Sequence, residues 1–352
     1  MSEHAVSARA EQQPAMPTIA PLRWLRAFVR TPYFAIWPAT ALLFAVSPLL
    51  ASGSLDGSAL LGMLPFAAIL ALAAAGQTLI VQQGGLDLSV PGMISLAAVI
   101  VSKYPEGSDG RLLPAIAIAF AACAVAALIS GVAITRFGIT PLIATLGVNA
   151  LLTGAVLQYT SGSASNPAPK GLVDFASGKV AGIPNTVVIA AVLIALATFV
   201  VRRTILGRRF VAAGASPRAA VAAGIRVREH QLGTYVVAAL LYAAAGILLA
   251  GFLQTPGLQP GQQYLLPSIA AVVLGGTALT GGSGSVAATA VGALFLTQLN
   301  QVVLGMGAAS SVQLLIQGAI IALGMGLRNV PWARLRRART RAAAPVAPRT
   351  EP

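Results

Sequence analysis

One carboxylate stands at the edge of the apolar body of this chain: Asp87, in GQTLIVQQGGLDLSVPG (76–92). An acid at membrane depth is costly, so it needs a reason to be there. Two reasons fit. Asp87 caps the helix that follows, accepting from the amide of Ser89 or Val90, or it serves as a capping or gate residue at the mouth of a pathway. Carriers driven by protons or sodium need buried carboxylates or a dedicated ion site, and a lone Asp at a span junction is thin support for that class. The other polar side chains of the spans and their ends are neutral: Gln77, Thr78, Gln82, Gln83, Thr145, Asn149, Thr153, Gln158, Gln298, Asn300, Gln301, Gln313 and Gln317. Amides and hydroxyls match a hydroxyl-rich, uncharged solute such as a sugar. The same groups also serve as hydrogen bonds between helices, and each single residue is open to that reading.

The missing constellations narrow the class. No GxxxxGK[ST] is present, so no Walker-type cradle for ATP phosphates exists in the sequence. GGSGS (281–285) lacks the following Lys and reads as a tight corner between two apolar spans. His4 and His230 are the only histidines, and Cys123 the only cysteine, so neither a His/Cys metal cluster nor an internal disulfide is expected. No pair of intramembrane carboxylates is available for acid–base work. The chain carries no expected catalytic residue, metal or cofactor, and is not read as an enzyme.

Positioning these residues falls to helices in a bilayer. Of the 352 residues 57% are hydrophobic and only 9% charged, against about 25% charged in soluble domains. Apolar runs of about 18–24 residues cross roughly 30 Å of hydrocarbon. Tyr33–Leu50 reads as an uncleaved first helix, and nine further spans are expected at about 59–81, 88–102, 112–134, 139–159, 185–201, 231–252, 266–280, 285–303 and 311–327. The third and eighth are short and flanked by Gly and Pro, the pattern of a broken segment beside a cavity or of close packing through small residues. The expected fold is an all-α polytopic membrane protein of about ten transmembrane helices, with a possible inverted repeat of helices 2–5 and 7–10. Residues 1–32 form a basic arm, 33–327 the transmembrane domain and 328–352 a basic tail.

The net charge of +14 is not spread over a surface, and nucleic acid is not an expected partner. With the N-terminus inside, nineteen of the 23 Lys and Arg fall on that side, leaving Lys103, Arg111, Lys170 and Lys179 outside. Both termini are therefore expected in the cytoplasm. Seven of the nineteen lie in Arg202–Glu229, a stretch too basic for hydrocarbon. Within it Pro217 suits a first helical turn, Ser216 a cap and Gly224 a stop, which predicts a short surface helix over 217–223. Such a helix lies in a partner's groove or rests on lipid. The loop at about 160–184 reads as an external connection or a docking surface for an outside partner, and the tail as an anchor near anionic lipid.

Three stretches resemble the membrane-spanning permease of ATP-driven (ABC) importers for simple sugars of the ribose, xylose and galactose type. GQTLIVQQGGLDLSV carries Gly76, Thr78, Gly84, Gly85, Asp87, Leu88, Ser89 and Val90 of one family segment. AAGASPRAAVAAGIRV carries Gly214, Ala219, Ala220, Gly224 and Ile225 of the cytoplasmic coupling segment. PSIAAVVLGGTALTGGSGSVAATAVGA carries Ile269, Ala270, Gly275, Gly276, Thr277, Gly281, Gly282, Gly284 and Ser285 of a third. Ser216 stands where Asn is usual and Pro91 where Gly is common. Permeases for branched-chain amino acids share the fold but usually differ at G-G-x-D-L-S.

The resemblance implies an assembly of two permease chains in the bacterial inner membrane, a likeness pointing to a homodimer. It implies a separate ABC ATPase that carries ATP and Mg, and a periplasmic sugar-binding protein. It assigns ATPase coupling to Gly214, Ser216, Ala219, Ala220, Gly224 and Ile225. Gate or pathway roles go to Gln77, Thr78, Gly84, Gly85, Asp87, Ser89, Asn149, Gly275, Gly276, Thr277 and Gln298. An ATP-independent secondary carrier and a permease for branched-chain amino acids or nucleosides are the alternatives.

Overall fold

A computed structural model describes residues 31, 33–163, 166–309, 311–316, 318, 319 and 322. The basic arm but for Thr31, the basic tail, Gln317 and about half of the tenth expected span lie outside the described residues. Among those described, the chain is mostly helical. The helices are Ile36–Leu50 (α1), Gly57–Gln82 (α2), Val90–Lys103 (α3), Leu112–Phe137 (α4), Pro141–Thr160 (α5), Lys170–Ser177 (α6), Asn185–Arg203 (α7), Ile205–Ala215 (α8), Pro217–Ala222 (α9), Val227–Leu253 (α10), Leu265–Leu274 (α11) and Val286–Gly305 (α12). A two-residue hairpin, Lys179–Val180 (β1) with Ile183–Pro184 (β2), follows α6.

Six helices, α2, α4, α5, α7, α10 and α12, are long and apolar enough to cross a membrane, and α1, α3 and α11 are shorter apolar helices. Burial separates two classes. The most apolar windows of α2 and α10 are 67% and 72% buried, against 28%, 22% and 11% for α4, α5 and α7. So α2 and α10 form the centre, and the other three present apolar faces outward. Val125, Ile129, Leu146, Leu151, Val192, Leu196 and Phe199 are all exposed there, a distribution suited to lipid rather than water. Around the central pair, α12 packs on α2, while α3 and α4 pack on α10. The α3–α10 approach depends on Gly246: a Cβ there would sit 2.3 Å from the Ile94 carbonyl oxygen. Cys123 on α4 is fully buried and unpaired, as a small apolar side chain would be.

Several expectations need correction. The first helix begins at Ile36, not Tyr33. The eighth expected span, 266–280, is helical only to Leu274, because Gly275 and Gly276 stop it. The short surface helix ends at Ala222, one residue early, and a second helix, α8, precedes it. The external connection holds α6 and the hairpin, tied back by the Ala168 N–H to the Gln254 carbonyl (2.7 Å).

Candidate functional site

Between α2 and α3 the chain runs non-helically from Gln83 to Ser89, half-buried but for the exposed Gly84 and the buried Asp87 and Ser89. Every exposed backbone group there needs a partner. Helix α2 closes with Gly84 at φ +77°; Gly84 N–H reaches the Val81 carbonyl (2.9 Å) and Gly85 N–H the Ile80 carbonyl (3.1 Å). This is the Schellman arrangement, which favours Gly at that position. Beyond it, side chains of α2 itself and of α5 take over. In the orientation that satisfies both of its ends, the Gln77 amide donates to the Asp87 carbonyl and accepts from the Asp87 N–H, at 3.2 Å each. The same nitrogen donates to the Tyr242 hydroxyl at 3.3 Å. Thr145 of α5 accepts from Leu88 N–H (2.9 Å), and Asn149 accepts from Gly92 N–H (2.9 Å).

Asp87 is 2% exposed and accepts from both the N–H (2.8 Å) and the hydroxyl (2.5 Å) of Ser89. The expectation of an N-cap is therefore corrected in position. Ser89 is the N-cap residue of α3, without a capping bond from its own side chain. Asp87 instead holds the turn before it, and Asn149 reaches across from α5 to serve the first turn of α3.

The second break follows the same rule. Helix α11 ends with Gly276 at φ +78°, with Gly276 N–H to the Val273 carbonyl (3.0 Å) and Thr277 N–H to the Val272 carbonyl (3.2 Å). Gly275 packs directly on Thr289 of α12. The chain then turns through Gly281 and Gly282, both at positive φ, to Ser285, the cap of α12. The Thr277 hydroxyl accepts from Ser285 N–H (3.4 Å).

The two breaks and the basic surface segment meet at one atom, the carbonyl oxygen of Gln82. It accepts from Gly282 N–H at 2.8 Å. A Cβ on Gly214 of α8 would lie 2.0 Å from it. Gln83 Nε2 donates to the Phe210 carbonyl of α8 (2.8 Å), and Arg202 donates through Nη2 to Ser285 Oγ (3.0 Å). Just below, Thr78 Oγ1 lies 2.9 Å from Thr289 Oγ1. Three segments remote in sequence thus touch backbone to backbone.

The surface helices are built locally. Thr204 caps α8 by accepting from Gly207 N–H (3.1 Å), and Ser216 caps α9 by accepting from Ala219 N–H (3.5 Å). Gly224, φ +77°, closes α9 with Ile225 N–H on the Ala220 carbonyl (2.9 Å). Ala220 is buried in a small cluster with Ala213 and Val227, with Ile225 packed against it. Ser216, Arg218, Ala219 and Gly224 are exposed. So is Val221, at 62%. Val221 could not be singled out from the sequence, because its face is set by the turn before it.

At the other end of α2, about 37 Å away for 25 residues at 1.5 Å each, a cavity of about 640 Å³ opens. It is lined by the α1–α2 turn (Ser52, Ser54), by Ser58 and Phe66, by Gln263 and Tyr264, by Asn300 and Gln301 of α12, and by Gln313. Gln301 Nε2 donates to the Ser54 carbonyl (2.7 Å), and Ser54 Oγ has no hydrogen-bond partner among the described residues. Gln298 faces away from the cavity and donates to Ser47 of α1 (2.9 Å). Of the neutral polar residues read from sequence, Asn300, Gln301 and Gln313 come together here. Gln77, Thr145 and Asn149 gather around the first break, with Gly84, Gly85, Asp87 and Ser89. Ser52, Ser54, Ser58 and Tyr264 were not foreseen, since they lie outside the apolar spans. No group of three or more His, Cys, Asp or Glu suited to a metal occurs among the described residues.

A model of the family described as "Branched-chain amino acid transport system / permease component" matches residues 59–325. The ribose import permease protein of Escherichia coli (strain K12) is 33% identical over 263 residues, 74% of this chain and 82% of that protein. That of Bacillus subtilis (strain 168) is 33% identical over 272 residues, 76% and 83%. The galactose/methyl galactoside import permease protein of Escherichia coli (strain K12) is 30% identical over 284 residues, 76% and 84%. No solved structure gives a significant match.

Proposed function

This chain belongs to the branched-chain amino acid transport system / permease component family, and on that premise we propose that it forms the inner-membrane pathway through which an ABC importer moves a monosaccharide. In this reading two copies enclose the pathway. A separate ATPase holds ATP and Mg and docks on α8 and α9, and a binding protein delivers the solute outside. Ten spans with both termini in the cytoplasm, and an inverted relation between spans 2–5 and 7–10, complete it. The supporting observation is the meeting of α8 with both helix breaks at the Gln82 carbonyl. A push on the surface helices reaches non-helical backbone inside the membrane without passing through flexible side chains.

The family description raises branched-chain amino acids as the rival solute. An amino acid presents an ammonium and a carboxylate, which need charged or multiply hydrogen-bonded partners when desolvated. The residues lining the cavity at the Gly57 end of α2 are hydroxyls, amides and apolar groups, with no charged side chain among those described. That set suits a neutral polyol better, as do the ribose and galactose names of the relatives.

The test is uptake of labelled monosaccharides and labelled leucine into vesicles holding the chain with its ATPase and binding protein. Accumulation of a sugar against its gradient only with ATP inside is the expected result. Accumulation driven by a proton or sodium gradient without the ATPase would move the chain to the secondary carriers, and accumulation of leucine alone would overturn the sugar assignment.

A further inference from the structure

A groove of about 690 Å³ runs between α2, α7 and α12 and shares no lining residue with the polar cavity. On α7 it extends from Val187 to Arg203, about 24 Å at 1.5 Å per residue. Its body is apolar, with Ala67 and Ala71 on α2, Ala191 and Ile194 on α7, and Leu294 on α12. Its end is cationic, formed by Arg202 and Arg203 beside the first turn of α12. One Arg202 nitrogen is engaged by Ser285, and a guanidinium has five N–H donors. Neither arginine forms an ion pair among the described residues.

An apolar trough closed at one end by two guanidiniums is matched by a molecule with an acyl chain and an anionic head. We propose that this groove is a binding site for an anionic glycerophospholipid, its phosphate on Arg202 and Arg203 and an acyl chain along the alanine floor. Charge decides against the other occupants. A second copy seated symmetrically would bring the same patch of both copies together, opposing arginine to arginine with no acid in the lining. The chain's own basic arm and tail would bring further arginines. Basic pockets between helices near a membrane surface are known to select acidic headgroups. Because Arg202 also holds Ser285, the headgroup would sit one contact from the junction at Gln82.

The experiment is native mass spectrometry of the full chain, delipidated in mild detergent, titrated with phosphatidylglycerol or with phosphatidylcholine of the same acyl chains. The unmodified chain should hold phosphatidylglycerol about 30-fold more tightly, as expected for two basic residues at roughly 1 kcal/mol each near the surface. R203Q should cut that preference to about five-fold, and A191F, which fills the trough from its exposed side, should weaken both lipids. R209Q, an exposed arginine outside the groove, should change neither. Equal binding of the two lipids by the unmodified chain, retention of the full preference by R203Q, or unchanged binding of both lipids by A191F overturns the proposal. So does full displacement of bound phosphatidylglycerol by inorganic phosphate alone, which would leave the acyl chain no role, and so does a disulfide between copies through A191C, which would give the groove to a protein partner. None of these readouts depends on which solute is transported.

Discussion

At the scale of single residues, the Gln82 carbonyl oxygen is the atom most constrained by its surroundings. A Gly214→Val change would drive a Cβ to within 2.0 Å of it, and the neighbour is backbone, which cannot rotate aside. Overpacking of this kind costs about 1–3 kcal/mol or more, and the strain would part α8 from the α2 break. Uptake is expected to fall at least ten-fold, with ATPase activity no longer responsive to the loaded binding protein; normal coupling would remove Gly214 from the transmission path. Asn149→Leu makes the complementary case. It leaves the Gly92 N–H without its acceptor in a place where water cannot easily replace it, a loss of about 1–3 kcal/mol, read as a lower melting temperature in detergent. An unchanged melting temperature would show that another acceptor serves Gly92. Gly84, Gly214, Gly224 and Gly276 could be picked out from the sequence because their type alone signals a turn or a close approach. The role of Asn149 could not, since its partner lies 57 residues away and any interhelical bond would use the same side chain.

At the scale of elements, the long spans could be read from apolar run length alone, and α2, α4, α5, α7, α10 and α12 fall within a few residues of expectation. The breaks could be located from Gly and Pro but not built, because the groups that satisfy them, Gln77 and the Gln82 carbonyl of α2 and Thr145 and Asn149 of α5, meet them only in the packed bundle. Helix α8 escaped altogether. Gly207 and Gly214 lower its helical propensity, and only the turn at Thr204 and the packing of Phe210, Ala213 and Gly214 make it a helix. With its orientation known, α9 separates into a buried side at Ala220 and an exposed side at Val221. A partner that grips α9 would meet Val221 and not Ala220. Val221→Asp should therefore reduce ATPase co-purification by about 30-fold, the effect of losing a contact worth about 2 kcal/mol, while leaving the melting temperature of the isolated chain within experimental error. A full complement of ATPase on the Val221→Asp chain would place the docking surface elsewhere.

At the scale of the whole molecule, the polar cavity and the Gln82 junction lie at opposite ends of α2, and their order across the bilayer determines which way a solute moves. On the charge pattern the junction is expected in the cytoplasm: Arg202, Arg203, Arg208, Arg209, Arg218, Arg226 and Arg228 cluster at that end, and Lys103, Arg111, Lys170 and Lys179 at the other. The molecule carries a convenient reporter for this assignment. Its sole cysteine, Cys123, is fully buried and should not react with a membrane-impermeant maleimide. Ser216→Cys and Lys170→Cys each then add one exposed thiol, on α9 and on α6. Intact cells should label Lys170→Cys and spare Ser216→Cys, and inverted membrane vesicles should do the reverse. Labelling in that pattern puts the cavity outside, where a delivered solute would enter, and α8–α9 where ATP is available. The opposite pattern would place the arginines outside, leave no cytoplasmic surface for an ATPase at the breaks, and end the importer reading together with the coupling route through Gln82.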